Sequence, residues 1–220
     1  MGEDGGPVRV LVGCERFGTI RRAFAKAGCL AFSVDLAPAE NSGERPDGST
    51  HVVGDVFDTL AADRWDLFIV HPECRFLSSS GLHWNKGNPE RERETENAVE
   101  FGVRCWTEGK KHAGRVVLEQ PIGRLGPVMR ERFGIRPQII QPYQFGDDAS
   151  KATCLFLHNL PPLVPTKYVP PRIINGKKRW ANQTDSGQNK LGPSPGRAME
   201  RARTYPGIAE AMADQWGQLQ

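Results

Sequence analysis

The chain has 220 residues, with 29 basic and 26 acidic side chains, a formal net charge of +3 and 38% hydrophobic residues. This composition suits one domain with a sizeable core. No apolar run approaches the ~20 residues of a membrane span, and residues 1–7 lack the basic flank of a secretory signal. We therefore expect neither a transmembrane nor a secreted protein.

Seven short apolar runs alternate with longer polar or amphipathic segments. Runs of four or five mostly apolar residues are typical of strands that are buried on both faces of a parallel sheet. The runs are Val8–Val12, Leu30–Val34, His51–Val53, Leu67–Val70, Val116–Leu118, Gln138–Ile140 and Cys154–Leu157.

Three helices are predicted around these strands. Apolar residues at helical spacing begin at Thr19 and stop at Gly28. Asn88 and the proline after it predict a helix that runs to about Glu108, and a last helix is predicted from Pro206 to about Trp216. The first helix and the strands around it form a βαβ unit, so the pattern favours an open α/β fold.

Residues 160–195 interrupt this pattern with prolines, glycines and basic residues, which predicts an irregular basic insert. The charges are unevenly divided. Residues 1–110 carry 13 basic and 18 acidic side chains, and residues 111–220 carry 16 and 8. We expect a polyanion to bind the basic second half.

Ligands of open α/β sheets bind at the carboxyl ends of the strands, so the residues that follow each run are candidates. The first run leads into a glycine-containing turn, 13–18, which by itself is weak because such turns are common backbone geometry. Asp35 follows the second run, where a carboxylate can accept both hydroxyls of a ribose. Asp55 follows the third, where it could accept from an adenine amino group. Each acid could instead be a helix cap or a solvated loop residue.

A thiol and a second carboxyl group follow the next two runs. Cys74 lies four residues beyond the fourth run, where its thiolate could act as a nucleophile, although most free cysteines are small buried hydrophobes. Glu119 follows the fifth run. Together they suggest attack on a ring carbon while an acid holds a ring nitrogen. The five cysteines contain no Cys-x-x-Cys pair, which argues against a disulfide framework and a zinc ribbon.

On these residues the chain resembles the DNA cytosine-5 methyltransferase family, particularly its short, phage-type members. Ser78 and Gly81 stand four and seven residues beyond Cys74, as in the family, and Glu119-Gln120-Pro121 is similar to the family's Glu-Asn motif. The segment 145–153 resembles its base-contacting motif more weakly, and residues 203–212 resemble its closing helix.

The resemblance implies a Rossmann-like S-adenosylmethionine-dependent methyltransferase fold, a mixed, mostly parallel sheet with helices on both faces. It implies that Cys74 adds to carbon 6 of a flipped-out cytosine, that Glu119 holds or protonates nitrogen 3, and that Lys151 contacts the base. S-adenosylmethionine supplies the methyl group for carbon 5, and no metal is expected. The cofactor residues that it implies are Gly13, Cys14, Glu15, Phe17, Gly18, Asp35, Leu36, Asp55, Val56 and Pro72.

Double-stranded DNA is the expected partner, bound by one protein monomer in the cytoplasm, or in the host cytoplasm if a phage encodes the chain. The catalytic domain would comprise residues 1–159 and 196–220. The insert, residues 160–195, would be a minimal target-recognition region that specifies two or three bases. Candidate DNA contacts are Arg75, Ser78, His83, Trp84, Lys86, Thr153, Lys177, Lys178, Arg179 and Trp180.

Four positions depart from the family pattern: Glu73 stands in place of Pro, Arg75 in place of Gln, Gln120 in place of Asn, and Lys151 in place of Arg. A carboxylate beside Cys74 would raise the thiol pKa unless it points away or pairs with Arg75. Two alternatives therefore stay open. One is a transferase that acts on another or a modified pyrimidine in phage DNA, and the other is a non-catalytic DNA-binding accessory. A zinc deaminase is set aside because Leu77 stands where its second cysteine would be.

Overall fold

In the computed structural model, residues 6–40, 48–192, 194 and 196–218 are described. Within these ranges seven strands form one sheet in the order β3-β2-β1-β4-β5-β7-β6. The strands are β1 (Arg9–Gly13), β2 (Leu30–Asp35), β3 (Thr50–Val53), β4 (Trp65–Val70), β5 (Ala113–Pro121), β6 (Gln138–Ile140) and β7 (Thr153–His158).

The first five strands are parallel, and β7 lies antiparallel between β5 and β6. All seven predicted runs are strands, and the predicted fold class, a mixed and mostly parallel Rossmann-like sheet, is confirmed. Thr153 pairs with Pro121. The start of β7 therefore lies at the edge of the sheet where β1, β2, β4 and β5 end.

Two apolar cores cover the two faces of the sheet, because successive strand residues point to opposite sides. Helices α1 and α7 pack on the face that contains Val10 and Val12, and α2, α4 and α5 pack on the face that contains Leu11. The helices are α1 (Thr19–Lys26), α2 (Val56–Ala61), α3 (Ser79–Leu82), α4 (Pro89–His112), α5 (Leu125–Phe133), α6 (Arg197–Ala202) and α7 (Pro206–Trp216), with short 3-10 helices at His83–Asn85 and Pro142–Gln144.

The three predicted helices are present, and the second is longer than predicted. Asn88 caps α4 by accepting a hydrogen bond from the Arg91 amide, as its sequence pattern indicates. The helix continues past Glu108 to His112, because its buried face continues to Gly109. No helix in the described parts of the chain is both long and apolar enough to cross a membrane.

The segment 160–195 is more regular than predicted. It contains a hairpin of β8 (Arg172–Ile174) and β9 (Lys177–Arg179), whose turn residues Asn175 and Gly176 both have positive φ. Asn-Gly is the preferred sequence for such a two-residue turn. At its start the segment joins the core, because Leu163 is buried and exchanges two hydrogen bonds with the Gln138 side chain.

Candidate active site

The loops that follow β1, β2, β4 and β5 converge at one edge of the sheet, as the parallel strands dictate. The His71 amide, just after β4, donates to the Gly13 carbonyl at the end of β1. Gly13 has no space for a side chain, since a Cβ there would lie 2.8 Å from Val56. Cys14 has a positive φ of 59°, so the chain turns sharply as β1 ends.

Two of the candidate cofactor residues, Asp35 and Asp55, lie within electrostatic range of a third, Cys14. Burial, followed by the charges of Asp35 and Asp55, raises the pKa of the Cys14 thiol to about 12. The two carboxylates therefore lie within electrostatic range of the first turn, as their positions after neighbouring strands predict. The thiol itself is protonated and unreactive at neutral pH.

Glu15 has a structural role, contrary to its assignment as a cofactor contact. Its buried carboxylate accepts hydrogen bonds from the amides of Ile20 (2.6 Å) and Arg21 (3.2 Å) in the first turn of α1. These donors use both carboxylate oxygens, so the side chain caps the helix. Burial raises the pKa of Glu15, and the nearby charge of His71 opposes that rise.

The acids after β2 and β3 are both partly used by backbone amides. One oxygen of Asp35 accepts from Ala37, and one oxygen of Asp55 accepts from Phe57 and Asp58 at the start of α2. Asp55 is therefore the helix cap that its alternative interpretation described. Leu36, beside Asp35, is 80% exposed, which leaves an apolar side chain at the strand edge.

Arg203 covers part of the turn that follows β1. Phe17 and Val56 are buried, and Gly18 precedes α1 with a positive φ of 67°. The guanidinium of Arg203 lies 4.3 Å from the centre of the Phe17 ring. The phenyl ring of Phe17 is thus covered by a cation rather than open to a ligand.

Cys74 and Glu119 are brought together, as the sequence predicts. Burial raises the pKa of the Cys74 thiol, the charge of Glu119 raises it further, and Lys151 opposes the rise. Glu73 is exposed to solvent and is not among the causes of this shift. The carboxylate that raises the thiol pKa is therefore Glu119, and not Glu73, which is adjacent to Cys74 in the sequence.

Glu119 has a partner that the sequence analysis did not assign. His71 Nδ1 lies 3.3 Å from Glu119 Oε2, and both side chains are largely buried. Burial by itself would raise the pKa of Glu119, but the hydrogen bond and charge of His71, together with Lys151, lower it. Glu119 is therefore held as a carboxylate.

Two contacts hold the loop that contains Cys74 against the end of β5. Gln120 Nε2 donates to the Pro72 carbonyl at 2.6 Å. Gly123 approaches the loop so closely that a Cβ there would lie 1.8 Å from the Leu77 carbonyl oxygen. The carbonyl of Pro72 is thus already engaged, and its ring is buried.

Lys151 and Thr153 differ from their predicted roles as base contacts. Lys151 Nζ donates to the carbonyls of Arg201 (2.8 Å) and Arg203 (3.3 Å), so its ammonium is held by protein. Thr153 is buried and its hydroxyl donates to the Lys151 carbonyl. Lys151 therefore contributes charge to the site and ties the segment 197–205 across it.

The candidate DNA contacts near the thiol are mostly exposed. The Arg75 guanidinium lies over the Phe76 ring at 5.2 Å, so it does not pair with Glu73. Ser78 shares a hydrogen bond with Ser80. His83, Trp84 and Lys86 are exposed, and Trp84 is 66% exposed. The centre of the Trp84 ring lies 4.7 Å from that of the His83 ring, ten residues beyond Cys74 in the chain.

In the basic insert, the assignment of Trp180 as a DNA-stacking residue is wrong. Trp180 is 6% exposed, stacks on Tyr143 with ring centres 4.1 Å apart, and donates to the Val169 carbonyl. The Arg179 guanidinium is bound by backbone carbonyls, including those of Asp185 and Ser186. Lys177 and Lys178 are exposed on β9.

A cavity of about 510 Å³ lies between the insert and the segment 197–205. Its lining includes Thr19 at the start of α1, Asn182 and Lys190 of the insert, and Arg203 and Tyr205. Arg203 also pairs with Glu40 and Glu200. Charged and polar side chains line the cavity together with a larger apolar surface that includes Leu191 and Pro206, and Thr19 places it beside the start of α1.

The sequence analysis missed His71 and the segment 197–205 as parts of the site. His71 directly follows the fourth apolar run, at the same edge as Cys74, so its position was a usable signal. The segment 197–205 carries three arginines, 197, 201 and 203, but no strand end precedes it.

No protein-family model matches the sequence, and no curated protein matches it. Among solved structures, the methyltransferase EhMeth of Entamoeba histolytica aligns with 11% identity and a TM-score of 0.46, over 74% of this chain and 58% of its own. A TehB-like SAM-dependent methyltransferase of Corynebacterium glutamicum aligns with 20% identity and a TM-score of 0.36, over 69% of this chain and 80% of its own.

The bifunctional kinase-methyltransferase WbdD aligns with 16% identity and a TM-score of 0.42, over 68% of this chain and 34% of its own. This chain thus spans well under two thirds of WbdD and of EhMeth.

Proposed function

We propose that the protein transfers a methyl group from S-adenosylmethionine to carbon 5 of cytosine in double-stranded DNA. The observation that carries this proposal is the placement of a thiol, Cys74, within electrostatic range of a buried carboxylate, Glu119, at the ligand edge of the sheet. A nucleophile and a group that holds a ring nitrogen are the two parts that addition to a pyrimidine needs.

The residues at the first three strand ends fit the donor. Asp35 retains one carboxylate oxygen that can accept from ribose hydroxyls, and exposed Leu36 offers an apolar surface for an adenine ring. Gly13 leaves the backbone of the turn without a side chain. S-adenosylmethionine bound here would supply an electrophilic methyl group.

In the proposed reaction, the sulfur of Cys74 adds to carbon 6 of the cytosine ring as a thiolate. Because burial and Glu119 raise the thiol pKa, most molecules carry the neutral thiol at neutral pH, and the thiolate is a minority species. Glu119 accepts from the amino group of the base and stabilises a proton on nitrogen 3. After methyl transfer, carbon 5 loses its proton to water, the released electron pair re-forms the carbon 5–carbon 6 double bond, and the carbon 6–sulfur bond breaks to release the Cys74 thiolate, which restores the aromatic ring.

The proposed partner is supported by exposed cations in the segment that follows Cys74 and on β9. Lys86 beside exposed Trp84, and Lys177 with Lys178 on β9, can neutralise phosphates. A base in a duplex is stacked on both faces and must leave the helix, which costs a few kcal/mol. Exposed Trp84 offers an aromatic face on which a base could stack.

The experiment is nucleoside mass spectrometry of cytosine-containing duplex DNA incubated with S-adenosylmethionine and the protein. We expect 5-methyldeoxycytidine with the wild-type protein and none with Cys74→Ala. Cys29→Ala is the matched control, because Cys29 lies on the α7 face away from this edge, and it should leave the product yield unchanged.

Duplexes in which a modified pyrimidine replaces cytosine test the principal alternative. If such a base is methylated in preference to cytosine, the modified pyrimidine is the substrate. Absence of product with every duplex, together with no binding of S-adenosylmethionine in calorimetry, would favour the DNA-binding accessory and overturn the proposed transfer.

A further inference from the structure

Resting on the proposed function, we infer that His71 is a positioning residue for Glu119 and the source of the proton that ring nitrogen 3 gains when Cys74 adds to carbon 6. The first observation is geometric: His71 Nδ1 and Glu119 Oε2 are 3.3 Å apart between two adjacent parallel strands. The backbone amide of His71 is fixed by the Gly13 carbonyl, so the imidazole is held beside the carboxylate.

Two buried carboxyl groups lie within electrostatic range of His71, Glu119 from β5 and Glu15 from the turn after β1. The charge of His71 opposes the rise that burial causes in both pKa values: the pKa of Glu119 is lowered, and that of Glu15 is still raised. Lys151 is the cation that also acts on Glu119, and Cys74 is the other titratable group of the loop. A positive charge on the imidazole would offset the cost of burying the charge of Glu119.

Glu119 by itself is poorly suited to supply the proton. A group held as a carboxylate accepts hydrogen bonds and has no proton to donate. When Cys74 adds, its lone pair forms the bond to carbon 6, the carbon 5–carbon 6 pair moves to carbon 4–carbon 5, and nitrogen 3 takes up the displaced pair. That nitrogen then needs one proton.

His71 can provide this proton through Glu119. The proton moves from Nδ1 of His71 to the carboxylate, and from the carboxyl group to nitrogen 3, which leaves neutral His71 and an ionised Glu119. The charge of the thiolate is thereby balanced by the charge lost from the imidazolium. At the end of the cycle carbon 5 loses its proton to water as the thiolate leaves, and the proton on nitrogen 3 then returns to Glu119 and from Glu119 to Nδ1 of His71.

The remaining imidazole nitrogen supports this role. His71 Nε2 is buried and has no hydrogen-bond partner among the described residues. A purely structural histidine at this depth normally satisfies both nitrogens. When Nδ1 has given up its proton, Nε2 keeps the other one, and this N–H is free to donate to water or to a ligand that enters the site.

The test uses His71→Asn and His71→Leu. The asparagine amide replaces Nδ1–H as a donor to Glu119 but carries no transferable proton, and leucine removes both functions. Single-turnover rates of methyl transfer are measured from pH 5.5 to pH 9, with His112→Asn as the control, because His112 lies at the opposite end of β5. General acid catalysis contributes about 10²–10⁴-fold, so we expect losses of that order in both variants and none in the control.

The pH profile separates proton supply from positioning. The thiolate fraction of Cys74 rises with pH, and the imidazolium fraction falls once His71 titrates, so the wild-type rate should rise and then level off. The break should coincide with titration of the His71 imidazole in nitrogen-15 NMR, and H71N should lack it. A wild-type break retained in H71N, or a rate within threefold of wild type, would overturn the inference.

A second readout does not depend on activity. In carbon-13 NMR the Glu119 carboxyl should titrate at a higher pH in H71N than in wild type, because burial is no longer opposed by a charged imidazole. An unchanged Glu119 titration overturns the pairing. If Glu119 titrates at a higher pH in H71N than in wild type but the wild-type protein methylates no cytosine, the proposed function fails, and the proton transfer to nitrogen 3 fails with it.

Discussion

Gln120 donates a hydrogen bond of 2.6 Å to the carbonyl of Pro72, and this contact connects the strand of Glu119 to the loop of Cys74. Gln120 is 1% exposed, so the contact is shielded from water. In the family that the sequence resembles, asparagine stands here, and its side chain is shorter by one methylene. The longer glutamine suits this chain's spacing between loop and strand.

Gln120→Leu should weaken both folding and catalysis. The change leaves the Pro72 carbonyl without its donor, and an unsatisfied buried polar group costs about 1–3 kcal/mol. Urea unfolding should show that loss, and the single-turnover rate should fall because the thiol is less firmly placed. Gln120→Asn should fall between wild type and Gln120→Leu in stability, and equal stability of all three proteins would contradict the importance of the contact.

Gly123→Ala should be strongly destabilising. The added methyl would lie 1.8 Å from the Leu77 carbonyl oxygen, a backbone atom, so the loop or the strand end must move. We expect a lowered unfolding midpoint and loss of methyl transfer. Gly126→Ala is the matched control, because nothing lies within 4 Å of that position in α5; it should stabilise by about 0.4–1 kcal/mol.

Removing the two exposed lysines of β9 should reduce DNA affinity in a salt-dependent way. Each phosphate contact contributes about 0.9 to the slope of log affinity against log salt, so Lys177→Ala with Lys178→Ala should reduce that slope by up to about 1.8. Fluorescence anisotropy over a salt series measures it. Trp180→Phe should leave both affinity and slope unchanged, because Trp180 is packed against Tyr143.

Glu119 should make folding stability depend on pH. Its pKa is lowered in the folded protein despite burial, so the unfolded chain binds its proton more readily. The stabilisation is therefore present above the ordinary glutamate pKa of about 4.3 and is lost as the pH falls through the lowered folded value. Unfolding free energies from pH 3 to pH 7 should show this decline in wild type, and a smaller one in Glu119→Gln.

The parallel sheet and the edge where ligands bind could be predicted because each depends on local patterns. Apolar runs identify strands, and parallel strands bring their carboxyl ends together, so Cys74 and Glu119 were expected to meet. The hairpin of β8 and β9 also has a local signal, Asn175-Gly176, which the abundance of proline in its flanks concealed.

Most of the contacts that contradict a predicted role join residues that are far apart in the sequence. Trp180 is buried by Tyr143, which lies 37 positions earlier in the chain. Glu15 is an exception, because the amides that it caps lie only five and six residues later. The carbonyls that hold Lys151 belong to residues 50 and 52 positions later. No local pattern reports contacts of such sequence separation.

Lys151 binds the carbonyls of Arg201 and Arg203, and this contact affects the order in which the parts of the site form during synthesis. Arg203 also rests on Phe17, so one short segment near the end of the chain touches both the first turn and the start of β7. A chain emerging from the ribosome has its thiol and carboxyl group in place long before this segment is made. The segment 197–205 is therefore made after every strand of the sheet, and the edge that it covers stays open until the segment has been synthesised and has folded against it.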